Sequence, residues 1–111
     1  MRILIAEDEV TIARALKVML EKNKYAVDLV HNGNEALDYL RATGYDALVL
    51  DIMMPVKDGF DVLTAMNQYH WIDELPVIMI SAENATSFVE RAYNLGATDY
   101  ISRPFDMAVV H

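Results

Sequence analysis

The sequence DALVLDIMMPVKDG, from Asp46 to Gly59, decides the fold of this chain. An apolar run, residues 47–50, stops at Asp51 and is followed by two methionines, a proline and an Asp-Gly pair. A short apolar run bounded by turn residues is typical of a strand buried on both faces, as in parallel sheets. Asp51 would then lie at the carboxyl end of a central strand, where open α/β sheets bind ligands. An isolated aspartate here would more often only cap a turn, so the other strand ends decide its role.

Length, composition and charge narrow the class of protein. The 111 residues, 54% of them hydrophobic, predict one globular domain spanning residues 1–111. A formal net charge of −8 argues against direct nucleic-acid binding by this chain. No apolar run approaches the roughly 20 residues that cross a bilayer, and the N-terminus does not resemble a signal peptide. We therefore expect a cytoplasmic protein with no membrane partner. The lack of cysteine excludes disulfides and thiolate metal sites.

Hydrophobic periodicity predicts five strands that alternate with helices. The predicted strands are residues 2–6, 25–31, 45–50, 77–80 and 99–102, and the predicted helices are residues 10–23, 35–42, 60–69 and 86–95. The second strand has an edge-like pattern. Asn34 is expected to cap the second helix and Gly44 to end it, and residues 70–75 are expected to form a longer connection. This alternation predicts a doubly wound parallel α/β sheet with right-handed crossovers.

Polar residues follow the ends of four predicted strands. They are Glu7 and Asp8 after the first strand, Asp51 after the third, Ser81 after the fourth and Arg103 after the fifth. If these strands are neighbours, their polar residues converge at one edge of the sheet. Three clustered carboxylates repel one another unless a cation neutralises them, and hard oxygen ligands favour Mg²⁺, with Mn²⁺ as the alternative. A cation, a hydroxyl and a guanidinium around a carboxylate form a phosphate receptacle. The pattern therefore indicates phosphoryl transfer onto Asp51.

At these residues the chain resembles the receiver domain of bacterial two-component response regulators. The matching pieces are Glu7-Asp8, the DIMMPVKDG stretch from Asp51, Ser81-Ala82 and the DYISRPF stretch from Asp99. The resemblance covers nearly the whole chain and implies the flavodoxin-like strand order 2-1-3-4-5. It also implies a signalling phosphoacceptor rather than an enzyme. Such a domain receives its phosphoryl group from a sensor histidine kinase and assists its own phosphorylation and dephosphorylation.

The resemblance also implies a role for each residue of the site. The implied ligands of Mg²⁺ are Glu7, Asp8, Asp51 and the backbone carbonyl of Met53. Ser81 is the implied hydroxyl that turns toward the phosphoryl group, and Tyr100 is the aromatic side chain whose rotamer follows it. Their movement would reshape the face of helix 4, strand 5 and helix 5, through which a homodimer or an output such as transcription is regulated. Arg103 is expected to pair with the phosphate.

Two features depart from the usual pattern of the family. Arg103 stands where the family usually has lysine, and a planar guanidinium is not equivalent to an ammonium group. The chain stops at His111, so helix 5 is expected to be incomplete, which leaves a truncated, chimeric or engineered form open. A degenerate receiver that docks partners without phosphorylation is a further alternative. A flavodoxin-type electron carrier would need a Ser/Thr/Gly-rich loop after strand 1, and a haloacid-dehalogenase-type phosphatase would need an aspartate where Met53 stands.

Overall fold

The computed structural model describes residues 1–81 and 86–102. The strands are β1 Arg2–Ala6, β2 Ala26–Val30, β3 Ala47–Asp51, β4 Val77–Ser81 and β5 Asp99–Ser102. The α-helices are α1 Val10–Lys22, α2 Gly33–Ala42, α3 Gly59–Gln68 and α4 Thr86–Asn94. A short 3₁₀ turn, Trp71–Asp73, lies within the connection that precedes β4. None of the helices in these ranges is long and apolar enough to cross a membrane.

The five strands form one sheet in the order β2-β1-β3-β4-β5, and every neighbouring pair is parallel. This order confirms the predicted fold class and places β2 at an edge. The register aligns Ala6 of β1 with Leu50 of β3, and Asp51 with Ile80 of β4. The carboxyl ends of β1, β3 and β4 therefore lie side by side, at the point where the winding of the sheet reverses.

Apolar side chains cover both faces of the central strands. On one face, Leu4 and Leu48 join a cluster that includes buried residues of α2, α3 and α4. On the other face, Ile5 and Val49 join a smaller cluster packed against α1. Each large side chain removed from water in this way contributes about 1.5–3 kcal/mol of transfer free energy. Burial on both faces explains why β1 and β3 read as continuous apolar runs.

The start of α2 differs from the sequence prediction, whereas its last residue, Ala42, is the predicted one. Asn32, not Asn34, is the N-cap: its side-chain oxygen accepts a hydrogen bond from the Glu35 N–H at 2.9 Å. The prediction of Asn34 was wrong because the extended backbone at Asn32 already directs its side chain to the N–H three residues on. Thr43 is the C-cap, and Gly44 follows it without the positive φ of a glycine that terminates a helix in the left-handed conformation.

Candidate functional site

Three carboxylates lie together at the carboxyl edge of the sheet. Glu7 and Asp8 directly follow β1, and Asp51 is the last residue of β3. One oxygen from each residue can be chosen so that all three lie within 4.8 Å of one another. Glu7 and Asp51 are fully buried, whereas Asp8 is exposed. The structure thus brings together the three acidic residues that are predicted from the sequence to converge.

Backbone pairing holds these carboxylates in place. The Glu7 N–H donates to the Val30 carbonyl at 3.0 Å, which extends the pairing of β1 with β2 by one residue. The Met53 N–H points toward Asp51 and donates to Asp51 Oδ1 at 3.3 Å. Buried carboxylates are costly unless they are paired or coordinate a metal. A set of hard oxygen donors, two of them buried, fits a small divalent cation such as Mg²⁺.

Ser81 and Tyr100 occupy the strands next to this cluster. Ser81 is the buried last residue of β4, one position beyond the residue that pairs with Asp51. Tyr100, on β5, pairs with Met79 and packs, half-buried, against the larger apolar cluster. Since side chains alternate along a strand, Met79 and Ser81 face the same side of the sheet as Tyr100. Arg103 and the expected helix 5 lie outside the described residues.

The loop between β3 and α3 is tightly built. The Ile52 carbonyl accepts hydrogen bonds from the N–H groups of Met54 at 3.2 Å and Gly59 at 2.8 Å. Val56 has a φ of +70° and is spanned by a hydrogen bond from Lys57 N to Pro55 O at 2.8 Å. A β-branched residue in this region is strained, and the hydrogen bonds to the Pro55 and Ile52 carbonyls hold the loop in this conformation. Met53, at its start, is 57% exposed.

Gly59 has no role that the sequence predicts, and the structure places it against the site. A Cβ at Gly59 would lie 2.5 Å from the Asp51 carbonyl oxygen and 2.8 Å from the Ile52 Cα. Asp58, just before it, caps α3 in a reciprocal capping box with Asp61. The sequence predicts a turn at the Asp-Gly pair. The spacing from Asp58 to Asp61 was the available signal for a helix start, because an acidic side chain three residues after the cap can complete such a box.

A doubly wound 2-1-3-4-5 sheet with acidic residues at the carboxyl ends of β1 and β3 fits the receiver class of signalling domains. The family model for the response regulator receiver domain matches residues 3–111, and the chain belongs to this family. This result confirms the resemblance that the sequence motifs indicated. It also sets aside the electron carrier and the phosphatase as alternatives.

Curated relatives and solved structures agree with this assignment. The transcriptional regulatory protein DltR of Streptococcus agalactiae is 38% identical over 106 residues, which cover 96% of this chain and 46% of DltR. The response regulator GtcR of Aneurinibacillus migulanus is 41% identical over 105 residues, which cover 94% of this chain and 42% of GtcR. The chain thus spans less than half the length of these relatives.

Two solved structures illustrate the likeness in fold. The receiver domain of the Francisella response regulator 1452 superposes with a TM-score of 0.90 at 31% identity, covering 98% of this chain and 88% of that one. The response regulator TrrA of Thermotoga maritima, in complex with Mg²⁺-BeF, superposes with a TM-score of 0.84 at 28% identity, covering 98% and 91%.

Proposed function

We propose that residues 1–111 form a single receiver domain that acts as the phosphoacceptor switch of a two-component phosphorelay. Asp51 is the residue that receives the phosphoryl group. The observation that carries this proposal is the burial of Asp51 at the end of a central strand, with carboxylate oxygens of Glu7 and Asp8 within 4.8 Å. The structure of the related TrrA is a complex with Mg²⁺-BeF, which supports a metal ion at the acidic cluster proposed here.

In the proposed reaction, a carboxylate oxygen of Asp51 attacks the phosphorus of a phosphohistidine on a sensor kinase. An O–P bond forms, the N–P bond breaks, and the kinase imidazole leaves as a neutral group after taking up a proton. Mg²⁺, held by Glu7, Asp8, Asp51 and the Met53 carbonyl, would neutralise negative charge on the transferring phosphoryl oxygens. The site's own contribution is to hold the nucleophile still at the end of β3, so that attack is aligned.

The proposed switch uses Ser81 and Tyr100. The Ser81 hydroxyl donates a hydrogen bond to a phosphoryl oxygen on Asp51, on the adjacent strand. Tyr100 faces the same side of the sheet from β5. When the Ser81 side chain turns toward the phosphoryl group, it vacates space into which the Tyr100 ring rotates. Arg103 pairs with the phosphoryl group in this proposal. The change reaches the surface at α4 and β5 and regulates an output, such as transcription.

Labelling of the protein by a small phosphodonor tests the assignment of Asp51. With acetyl phosphate and Mg²⁺, intact-mass analysis should show a phosphate adduct on the wild-type chain. The adduct should be absent in Asp51→Asn and absent when EDTA replaces Mg²⁺. Asp38→Asn is the matched control, because it removes an exposed carboxylate of α2 that pairs only with Arg41 among the ion pairs of the described ranges. Labelling of Asp51→Asn at the wild-type level would contradict the assignment. An unlabelled wild type would support the degenerate docking module instead.

The proposed partners are a sensor histidine kinase and a second copy of the domain. The α4–β5 face is the expected dimer surface, since β5 is the last strand of the described sheet and Tyr93 on α4 is 45% exposed. Edge strands favour pairing with another chain. We place the protein in the cytoplasm, with no membrane partner and, given the charge of −8 on residues 1–111, no direct contact of this chain with nucleic acid. Light scattering should show a larger mass after acetyl phosphate treatment of the wild type and an unchanged mass for Asp51→Asn. An unchanged wild-type mass would exclude this dimer.

A further inference from the structure

We propose that His31 is a positioning residue for the two carboxylates that follow β1. This inference rests on the proposed function, in which Glu7 and Asp8 hold a divalent cation. His31 directly follows β2, and its Nδ1 lies 3.0 Å from the backbone carbonyl oxygen of Glu7. A carbonyl oxygen only accepts hydrogen bonds, so Nδ1 carries the hydrogen and donates it.

The hydrogen bond acts on the peptide group that joins Glu7 to Asp8. Its carbonyl oxygen belongs to the same rigid plane as the N–H and Cα of Asp8. Fixing that oxygen therefore fixes where the Asp8 Cα lies and narrows the positions that the Asp8 side chain can reach. The Glu7 N–H is held as well, by the Val30 carbonyl at 3.0 Å. The end of β2 thus holds Glu7 through both of its backbone polar groups.

The first turn of α2 in turn holds His31. The backbone N–H of His31 donates to Glu35 Oε1 at 3.0 Å, and the Asn32 side-chain amide donates to the same oxygen at 3.2 Å. The Glu35 N–H donates back to Asn32 Oδ1 at 2.9 Å. The hydrogen bonds form a continuous path from the start of α2, through His31, to the Glu7–Asp8 peptide.

The position of this path explains why it matters for the site. β1 ends at Ala6 and α1 begins at Val10, so both carboxylates lie on a three-residue connection between the two elements. Asp8 is exposed, so packing does not hold its side chain as burial holds Glu7 and Asp51. Binding of a cation requires the carboxylates of Glu7, Asp8 and Asp51 to be held in one fixed arrangement. His31 supplies the contact that orients the exposed one.

Two variants of His31 separate positioning from simple loss of a side chain. His31→Leu removes the Nδ1 donor and puts an apolar side chain of moderate size in its place. His31→Asn keeps an N–H donor close to the place of Nδ1. His70→Asn is the control, because His70 is an exposed histidine on the connection after α3, at the other end of the sheet. Calorimetric titration with Mn²⁺ should show affinity reduced on the order of tenfold in His31→Leu, as for other residues that orient metal ligands. Wild-type affinity is expected in His31→Asn and His70→Asn.

Two further measurements distinguish positioning from a structural role. Thermal unfolding in EDTA should show the same midpoint for His31→Leu and His31→Asn, because His31 is exposed. The rate of labelling by acetyl phosphate should fall in His31→Leu at low Mg²⁺ and return to the wild-type rate at saturating Mg²⁺.

The outcomes also separate this inference from the proposed function. Wild-type Mn²⁺ affinity in His31→Leu, or equal weakening in both His31 variants, would overturn the positioning role while leaving the phosphoacceptor intact. Loss of the thermal transition in His31→Leu would also overturn it, because the contact would then stabilise the fold rather than the carboxylates. A wild-type chain that binds no Mn²⁺ would remove the proposed function and the positioning role together.

Discussion

Replacing Gly59 by alanine tests whether the start of α3 must touch the end of β3. The added Cβ would lie 2.5 Å from the Asp51 carbonyl oxygen and 2.8 Å from the Ile52 Cα. Ordinary carbon contacts are about 3.5–4.0 Å. Both contacted atoms belong to the backbone, which cannot rotate away as a side chain would. The Gly59 N–H also donates to the Ile52 carbonyl at 2.8 Å, so α3 cannot withdraw without stretching that bond.

The expected cost follows from two opposing effects. Overpacking that shifts the backbone costs about 1–3 kcal/mol. Alanine has fewer backbone conformations than glycine in the unfolded chain, which raises the free energy of unfolding by about 0.4–1 kcal/mol. The net decrease in the free energy of unfolding is therefore roughly 0–2.6 kcal/mol, with a central value of about 1.3 kcal/mol. Because the displaced atoms belong to Asp51 and Ile52, labelling of Asp51 by acetyl phosphate should also slow.

Urea denaturation measures the effect. With a slope of roughly 1–2 kcal/mol per molar urea, the midpoint of Gly59→Ala should fall by roughly 1 M. Gly44→Ala is the matched control, since among the described residues no heavy atom lies within 4 Å of its added Cβ. Its midpoint should equal or slightly exceed that of the wild type. A wild-type midpoint for Gly59→Ala, or equal losses in both variants, would refute the close-contact argument.

Three other substitutions test the N-cap of α2, a buried position of α3 and a tyrosine hydrogen bond. Asn32→Ala removes the N-cap bond of α2 and should lower stability by roughly 1 kcal/mol in thermal unfolding; an unchanged midpoint would mean that the cap contributes nothing. Met66→Ala leaves a cavity at a fully buried position and should cost about 2–5 kcal/mol in urea. Burial, together with the hydrogen bond to Asp28, raises the pKa of Tyr45 to about 12. The extra stability of the wild type relative to Tyr45→Phe should therefore be fully present below about pH 10 and be lost as the pH rises toward 12. A difference in urea midpoint that does not depend on pH would contradict this.

The regular elements could be read from the sequence with little error. β1 and β5 have the predicted bounds, and β3 differs from its predicted range by two residues at its start and one at its end. These strands are predictable because an apolar run bounded by turn residues is a local signal. The clustering of acidic residues was also predictable, but only on the condition that strands 1 and 3 are neighbours. Alternation of strands and helices does not determine strand order, which the resemblance to receiver domains implied.

The sequence by itself determined the class of fold and the residue types available at the carboxyl edge of the sheet. The tertiary structure alone decided the contacts that hold that edge together: His31 on the Glu7 carbonyl and Gly59 against Asp51. The His31 contact joins residues 24 positions apart, and neither contact repeats with the period of a helix or a strand. Such contacts depend on how closely neighbouring loops approach one another once the sheet has formed. No local pattern of apolar and polar residues determines the distance between those loops.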